Sequence, residues 1–241
     1  MIELSIIAIV IDNLEITKRF ISSIRQYTTG KYELIIIDNK SNDKKTIDYI
    51  KKNSDKYFRF KKRVSVSEAW NKGIDLAKGS FIAIANNDVV VPKNWFSELK
   101  KPFAQDKKCG IVSPLTLWNY NFNLETNRIK PLPSFFKNKK KTLFKLKKYN
   151  QGVWGEFLLY KRKDLIKLGK FSDEYKIASS EDLEMLFRYY KNNYNVYIQP
   201  KVFVYHEGGA SYKILGKKQK NIWDKNYNKF AKKWKKYSKD V

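Results

Sequence analysis

Three aspartates and one histidine stand where apolar runs give way to polar residues. Asp12 follows Leu4–Ile11, Asp38 follows Leu34–Ile37, Asp88 follows Phe81–Ala85 across Asn86 and Asn87, and His206 follows Val202–Tyr205. A carboxylate flanked by amides, as in Asn86-Asn87-Asp88, can hold a hard cation through oxygen, and such a cation could neutralise a diphosphate. The same residues also suit an ordinary turn, because Asn and Asp favour turns through local hydrogen bonds. Asp38 could accept hydrogen bonds from a base or a ribose. The loop from Asp38 to Asp43 equally suits a helix start, with Ser41 or Asp43 as the cap. In Ser180-Glu181-Asp182 a carboxylate could act as a general base. There, too, a capping reading stands beside the chemical one: Ser179 and Asp182 have capping-box-like spacing, and Glu184 and Arg188 form an i,i+4 pair. An imidazole at His206, just ahead of Gly208 and Gly209, can ligate a metal or sit as a structural residue.

These residues need elements to position them, and the first half of the chain supplies a clear alternation. Leu4–Ile11 reads as a buried strand, broken only by Ser5. Leu14–Tyr27 reads as a helix with Ile16, Phe20, Ile24 and Tyr27 on one face. Leu34–Ile37 is a second strand, and Ile47 and Ile50 mark a short helix. Ala69, Trp70, Ile74 and Ala77 mark another helix, stopped by Gly79. Phe81–Ala85 is a third strand. Strands alternating with helices imply a largely parallel sheet with right-handed crossovers, and ligands then bind beyond the carboxyl ends of the strands. The second half is less regular. Phe157–Tyr160 and Val202–Tyr205 read as strands, Asp182–Lys191 as a helix, and residues 115–153 as long Pro- and Lys-rich loops.

Composition bounds the rest. The chain has 241 residues, 50 Lys and Arg against 24 Asp and Glu, and a formal charge of +26. That points to anionic partners: nucleic acid, anionic lipid or a polyanionic substrate. The excess is uneven, +6 over residues 1–100 and +20 over 101–241. One Cys, Cys109, excludes an internal disulfide framework, and one His excludes a site of paired histidines. No G-x-G-x-x-G follows the first strand, and neither a P-loop nor a G-x-S-x-G motif occurs. The N-terminal apolar run lacks a basic leader and a cleavage site, and no run approaches the ~18 apolar residues of a bilayer span. The expected location is therefore cytoplasmic, with peripheral contact at the inner face of the membrane as one use of the charge.

Taken in order, six segments resemble the family 2 glycosyltransferases of GT-A fold: SIIAIVIDNLEITKRFISSI, ELIIIDNKSND, EAWNKGIDLAKGSFIAIANNDVVVPKNW, GEFLLYKRKDLIKLGKFSDEY, SSEDLEMLFRYYKNN and YIQPKVFVYHEGGASY. The resemblance implies an α/β GT-A fold, a single Rossmann-like domain with a mostly parallel central sheet. It places that domain over 1–212, with a nucleotide-sugar-binding half at 1–100 and an acceptor-binding half at 101–212. It implies inverting transfer from a nucleotide-sugar, with a UDP-sugar as the default and deoxythymidine diphosphate as the next choice. By the family's pattern Asp182 is the base, with Glu181 beside it. Asp88 and His206 hold a divalent cation, Mn2+ or Mg2+. Asp12, Asp38, Asn71, Asn86, Asn87 and Ser211 lie on the donor side.

Four departures accompany the match. Asp12 stands where relatives usually carry Asn, and Arg63-Val64-Ser65 replaces Asn-Leu-Gly. Glu184 replaces the second Asp of E-D-x-D, and the DxD-type site has a single carboxylate. They bear on donor identity more than on the reaction.

The basic half needs a separate account. Trp223, Tyr227, Phe230, Trp234 and Tyr237 are spaced 4, 3, 4, 3, which makes residues 213–241 a basic amphipathic C-terminal helix. Such a helix could lie on an anionic membrane or pack on the enzyme itself. The acceptor classes that follow are a polyanionic or lipid-linked glycan and, as an alternative, hydroxylated bases in DNA. A second alternative is an inactive basic module for nucleic acid or membrane, although a degenerate site would be expected to lose some of Asp38, Asp88 and Asp182.

Overall fold

The computed structural model describes residues 1–118, 122–123, 128–129, 144–145, 155–208 and 218–235. In chain order these form β1 (Leu4–Val10), α1 (Leu14–Tyr27), β2 (Tyr32–Asp38), α2 (Lys44–Asn53), β3 (Lys56–Arg59), α3 (Val66–Leu76), β4 (Phe81–Asn86), β5 (Val89–Val90), α4 (Trp95–Gln105), β6 (Cys109–Trp118), β7 (Phe122–Asn123), β8 (Arg128–Ile129), β9 (Phe144–Lys145), β10 (Phe157–Lys161), α5 (Arg162–Lys167), α6 (Glu181–Lys191), β11 (Asn195–His206) and α7 (Lys218–Trp234). The main sheet runs β3-β2-β1-β4-β10-β6-β11-β5, with β9 also paired to β11. β3, β2, β1 and β4 are mutually parallel, as are β6 and β11, and β10 lies antiparallel between β4 and β6.

β1 reads LSIIAIV because both its faces are covered, which is why it shows no polar alternation. Ile6, Ala8 and Val10 pack with Phe20, Ile24 and Trp95 on one face of the sheet. On the other, Ile7 packs with Ile35, Ile37, Trp70 and Ile74. Each such fully buried apolar side chain stabilises the fold by ~1.5–3 kcal/mol. The one polar residue of β1, Ser5, is satisfied internally. Its hydroxyl donates to Glu33 Oε1 at 2.6 Å and accepts from Gly79 N at 2.8 Å. A Cβ on Gly79 would meet Ser5 N at 2.5 Å, so the chain passes there only as glycine.

Several elements differ from the sequence expectation. The stretch read as loop from residue 115 begins as the end of β6, which continues to Trp118 against β11. β6 carries Pro114, which has no N–H for the ladder. The register of β11 shifts between Gln199 and Phe203 at that point, so the extra residues bulge opposite the proline. β11 itself is 12 residues long, where only Val202–Tyr205 showed an apolar run. The short edge strand β3 and helix α4 had no counterpart in the sequence reading. No helix among the described residues is long and apolar enough to cross a membrane.

Candidate active site

The carboxyl ends of β1, β2, β4 and β11 and the start of β10 share one edge of the sheet, and the predicted residues collect there. Register does the work for the first pair. β5 is only two residues long, yet its antiparallel pairing sets His206 opposite Val89. That places His206 Nε2 3.0 Å from Asp88 Oδ1, with both side chains under a tenth exposed. Burial alone pulls the imidazole down, but the hydrogen bond to Asp88 and its charge outweigh this and hold His206 above its ordinary value. Asn86 Nδ2 stands 3.5 Å from the same imidazole nitrogen. Asn87 points elsewhere: its amide donates to Thr17 Oγ1 at 2.9 Å, fixing the turn to α1.

From this pair a chain of contacts leads to the acidic helix start. Asn86 N donates to Glu156 O at 2.9 Å, and Gly155 N donates to Asp182 Oδ2 at 3.0 Å. Asp182 Oδ1 accepts from Leu183 N at 2.8 Å. A Cβ on Gly155 would sit 3.0 Å from Asp182 Cβ and Oδ2, so glycine permits this approach. Burial raises Asp182 above the usual carboxylate range, against the pull of its backbone hydrogen bonds. Burial and then the charge of Asp182 push Glu181 up as well. Glu181 Oε2 is shut off from solvent with no hydrogen-bond partner among the described residues. The backbone ahead of this helix is strained, with Ile177, Ser179 and Ser180 at φ 67°, 89° and 71°. Left-handed non-glycine residues cost ~1–3 kcal/mol each and persist where the surroundings over-determine them.

Glu156 is the residue the sequence reading did not single out. It is buried, burial raises it, and the Thr116 hydroxyl and His206 oppose that shift. It feels the charges of both His206 and Asp182, its own carbonyl accepts from Asn86 N, and its neighbour Gly155 donates to Asp182. An acid between a glycine and an apolar run, GEFLLY, was the available signal.

The remaining predicted residues are engaged by the protein's own loops. Asp12 Oδ1 accepts from Asn42 N and Asp43 N, both at 2.7 Å, and Asp12 N donates to Ser41 Oγ at 2.9 Å. Asp12 thereby joins the loop after β1 to the loop after β2. Asp38 is fully buried. Its Oδ1 accepts from Ser41 N at 2.7 Å, and its Oδ2 faces Tyr57 Oη at 3.0 Å and Arg59 Nε at 3.3 Å. Asn71 pairs with the backbone of Phe171, Nδ2 donating to its carbonyl at 2.8 Å and Oδ1 accepting from its N–H at 2.9 Å, tying α3 to the segment after α5. Asp43 caps α2, its side chain accepting from Lys45 N and Thr46 N. Ser211 lies outside the described residues.

Residues 5–169 match glycosyl transferase family 2, and the chain belongs to that family. An uncharacterized glycosyltransferase of Methanocaldococcus jannaschii is 26% identical over 186 residues, 73% of this chain and 60% of its own length. The chain therefore spans about 60% of that curated relative. Among solved structures, GalNAc-T7 with UDP, GalNAc and Mn2+ matches 96% of this chain with a TM-score of 0.72 and 19% identity, over 48% of its own chain. The mannosyltransferase PcManGT of Pyrobaculum calidifontis, with GDP-Man and Mn2+, matches 88% with a TM-score of 0.66 and 16% identity, over 60% of its own chain. S. aureus TarS, residues 1–349, matches 89% with a TM-score of 0.65 and 14% identity, over 63% of its own chain. The mixed α/β domain with its mostly parallel, curled sheet is the GT-A fold.

Proposed function

We propose that this chain moves a sugar, with inversion, from a nucleotide-sugar donor, a UDP-sugar by preference, to a hydroxyl of a glycan or lipid-linked acceptor. Family membership supports transfer, and two structural neighbours were solved with a nucleotide or nucleotide-sugar and Mn2+. The observation that carries the reading is the convergence at one sheet edge of a buried Asp–His pair and a buried acidic pair, joined through Asn86 and the Gly155–Glu156 backbone.

Asp88 and His206 fit a divalent cation as two of its ligands. They offer one hard oxygen and one imidazole nitrogen, buried and 3.0 Å apart. Among the described residues no cluster of three or more His, Cys, Asp or Glu is placed to hold a metal ion, so the donor diphosphate and water would supply the other ligands. When bound, Mn2+ or Mg2+ would offset the charge that gathers on the leaving diphosphate.

Asp182 takes the proton from the acceptor hydroxyl as that oxygen attacks the anomeric carbon and the diphosphate leaves from the opposite side. The transition state resembles an oxocarbenium ion, as in glycoside hydrolysis. Its N–H contacts from Gly155 and Leu183 fix the direction of the carboxylate. Its raised proton affinity makes it a stronger base than an exposed aspartate.

The test is thermal stabilisation by a panel of nucleoside diphosphates and nucleotide-sugars, with and without Mn2+. The expected result is a metal-dependent rise with one nucleotide, lost in Asp88→Ala. No rise with any nucleotide would turn the reading toward a basic binding module.

A further inference from the structure

Four consecutive carbonyls lead into the Glu181–Asp182 pair, and each is held by a donor from far along the chain. Val66 N, at the start of α3, donates to Ile177 O at 2.7 Å. The side-chain amide of Asn226, on α7, donates to Lys176 O at 2.9 Å, Ala178 O at 2.9 Å and Ser179 O at 3.3 Å. Asn226 is buried, on the same face of α7 as Phe230 and Trp234. A buried amide is costly unless it is hydrogen-bonded, and here its N–H groups are spent on one loop. That loop contains the left-handed residues Ile177, Ser179 and Ser180. Released, it would relax toward ordinary dihedrals and carry Glu181 and Asp182 with it.

The helix that brings Asn226 there is anchored by other contacts. Phe230 and Trp234 pack on Phe187 of α6, with ring centroids 5.0 and 5.6 Å apart, and Tyr175 joins the cluster. Lys233 Nζ lies 2.9 Å from both Glu174 Oε1 and Glu184 Oε1. Losing the Asn226 amide therefore leaves α7 docked. The amide is available for a task separate from holding the helix.

We propose that Asn226 is a positioning residue: from α7 it holds the strained 176–179 backbone so that Asp182 keeps its contact with Gly155. This rests on the reading of Asp182 as the base.

The test compares Asn226→Asp, of equal size but without the N–H donors, with the parent chain. Two readouts are hydrogen exchange of residues 177–183 and Mn2+-dependent UDP or GDP release from UDP-glucose, UDP-N-acetylglucosamine and GDP-mannose with water as acceptor. The expected result is faster exchange in 177–183, retained protection in 218–234, and turnover about ten- to a hundredfold lower. Affinity for the nucleotide should change less than twofold. Unchanged exchange or unchanged turnover overturns the proposal, as does a loss explained wholly by nucleotide affinity. If the carboxylate unfolds the domain, Asn226→Leu, similar in size and also without donors, replaces it. Asp182→Asn separates the two ideas. Full turnover in that variant removes the base reading itself. If Asp182→Asn is inactive while Asn226→Asp is normal, only the positioning role fails. In the Asp182→Asn background, Asn226→Asp should lower the residual rate no further, and a second drop of the same size overturns action through Asp182.

Discussion

Replacing Gly155 by alanine puts a methyl group into the space that holds Asp182. The new Cβ would lie 3.0 Å from Asp182 Cβ, 3.0 Å from Oδ2 and 3.3 Å from Cγ. These contacts are tighter than ordinary van der Waals packing, so one side must give by a few tenths of an ångström. The backbone of Gly155 is tied beside the β10–β4 ladder through the bond from Asn86 N to Glu156 O. Asp182, a side chain on the strained end of α6, is the partner that gives way. The domain should lose ~1–3 kcal/mol from overpacking. Turnover should fall by roughly threefold to tenfold, less than the ~hundredfold that a full 1 Å misplacement can cost. Nucleotide affinity should hold, because the Asp88–His206 pair is untouched. The assay is Mn2+-dependent nucleotide release beside calorimetric nucleotide binding, both well below the melting temperature. Gly73→Ala is the control: its Cβ would strike Ile7 Cγ2 at 2.3 Å in the core, away from the acidic pair. It should lower the melting temperature and leave turnover of the folded protein intact. A Gly155→Ala enzyme with normal turnover would refute the placement of Asp182 in the chemistry.

Three further outcomes follow from the same geometry. Asp88→Ala should remove the Mn2+-dependent part of nucleotide stabilisation, and a Mn2+-dependent rise as large as the parent's would contradict its role as a ligand. Asp38→Asn should cost about 1–3 kcal/mol of stability, because an amide cannot accept from Ser41 N while also facing Tyr57 and Arg59 as a charge; an unchanged denaturation midpoint would show that the carboxylate is not needed by the fold. Glu184 would be raised by burial, but Lys233, Tyr175 and Arg188 hold it below its ordinary 4.5. Its folded value is depressed, so its contribution is present above pH 4.5 and lost as the pH falls through the lower folded value. Glu184→Gln should flatten that part of the acid denaturation curve, and a slope identical to the parent's would exclude Glu184 as its source.

The parallel half of the sheet was legible because its strands are buried on both faces and its helices carry clean apolar stripes. β1 and α1 emerged with almost the expected bounds, and the strand-end aspartates came with them. What escaped depends on partners distant in sequence. β3 is a four-residue, half-exposed edge strand, and its sequence KYFR has no period to read. The length of β11 is set by pairing with β6, bulge included, and not by its own apolar run. Glu156 is hard to read from sequence because an acid beside an apolar strand looks like a solvent-facing end until β4 and β6 flank that strand.

The site residues show why type and spacing reach only so far. Asp12 and Asp38 are polar groups at strand ends, and Asn71 is implied only by the family resemblance. Yet each satisfies backbone groups of its own loops, because short turns leave amide hydrogens that a nearby carboxylate or amide is needed to fill. The same chemistry that suits a ligand suits a turn, and only the count of occupied oxygens separates them. Glu184 makes the converse case. In sequence it is a departure, standing where the family's E-D-x-D run has its second Asp. In the structure its longer side chain reaches both Arg188, at 3.0 Å, and Lys233, at 2.9 Å, so it fastens α7 to α6. Through Arg188 that network extends to the carbonyls of Leu168, Gly169 and Lys170. The residue lost to the motif is recovered as the anchor of the helix that carries Asn226. The acidic helix and the basic C-terminal helix pack directly on each other, where the sequence left the tail free either to dock on the enzyme or to lie on a membrane.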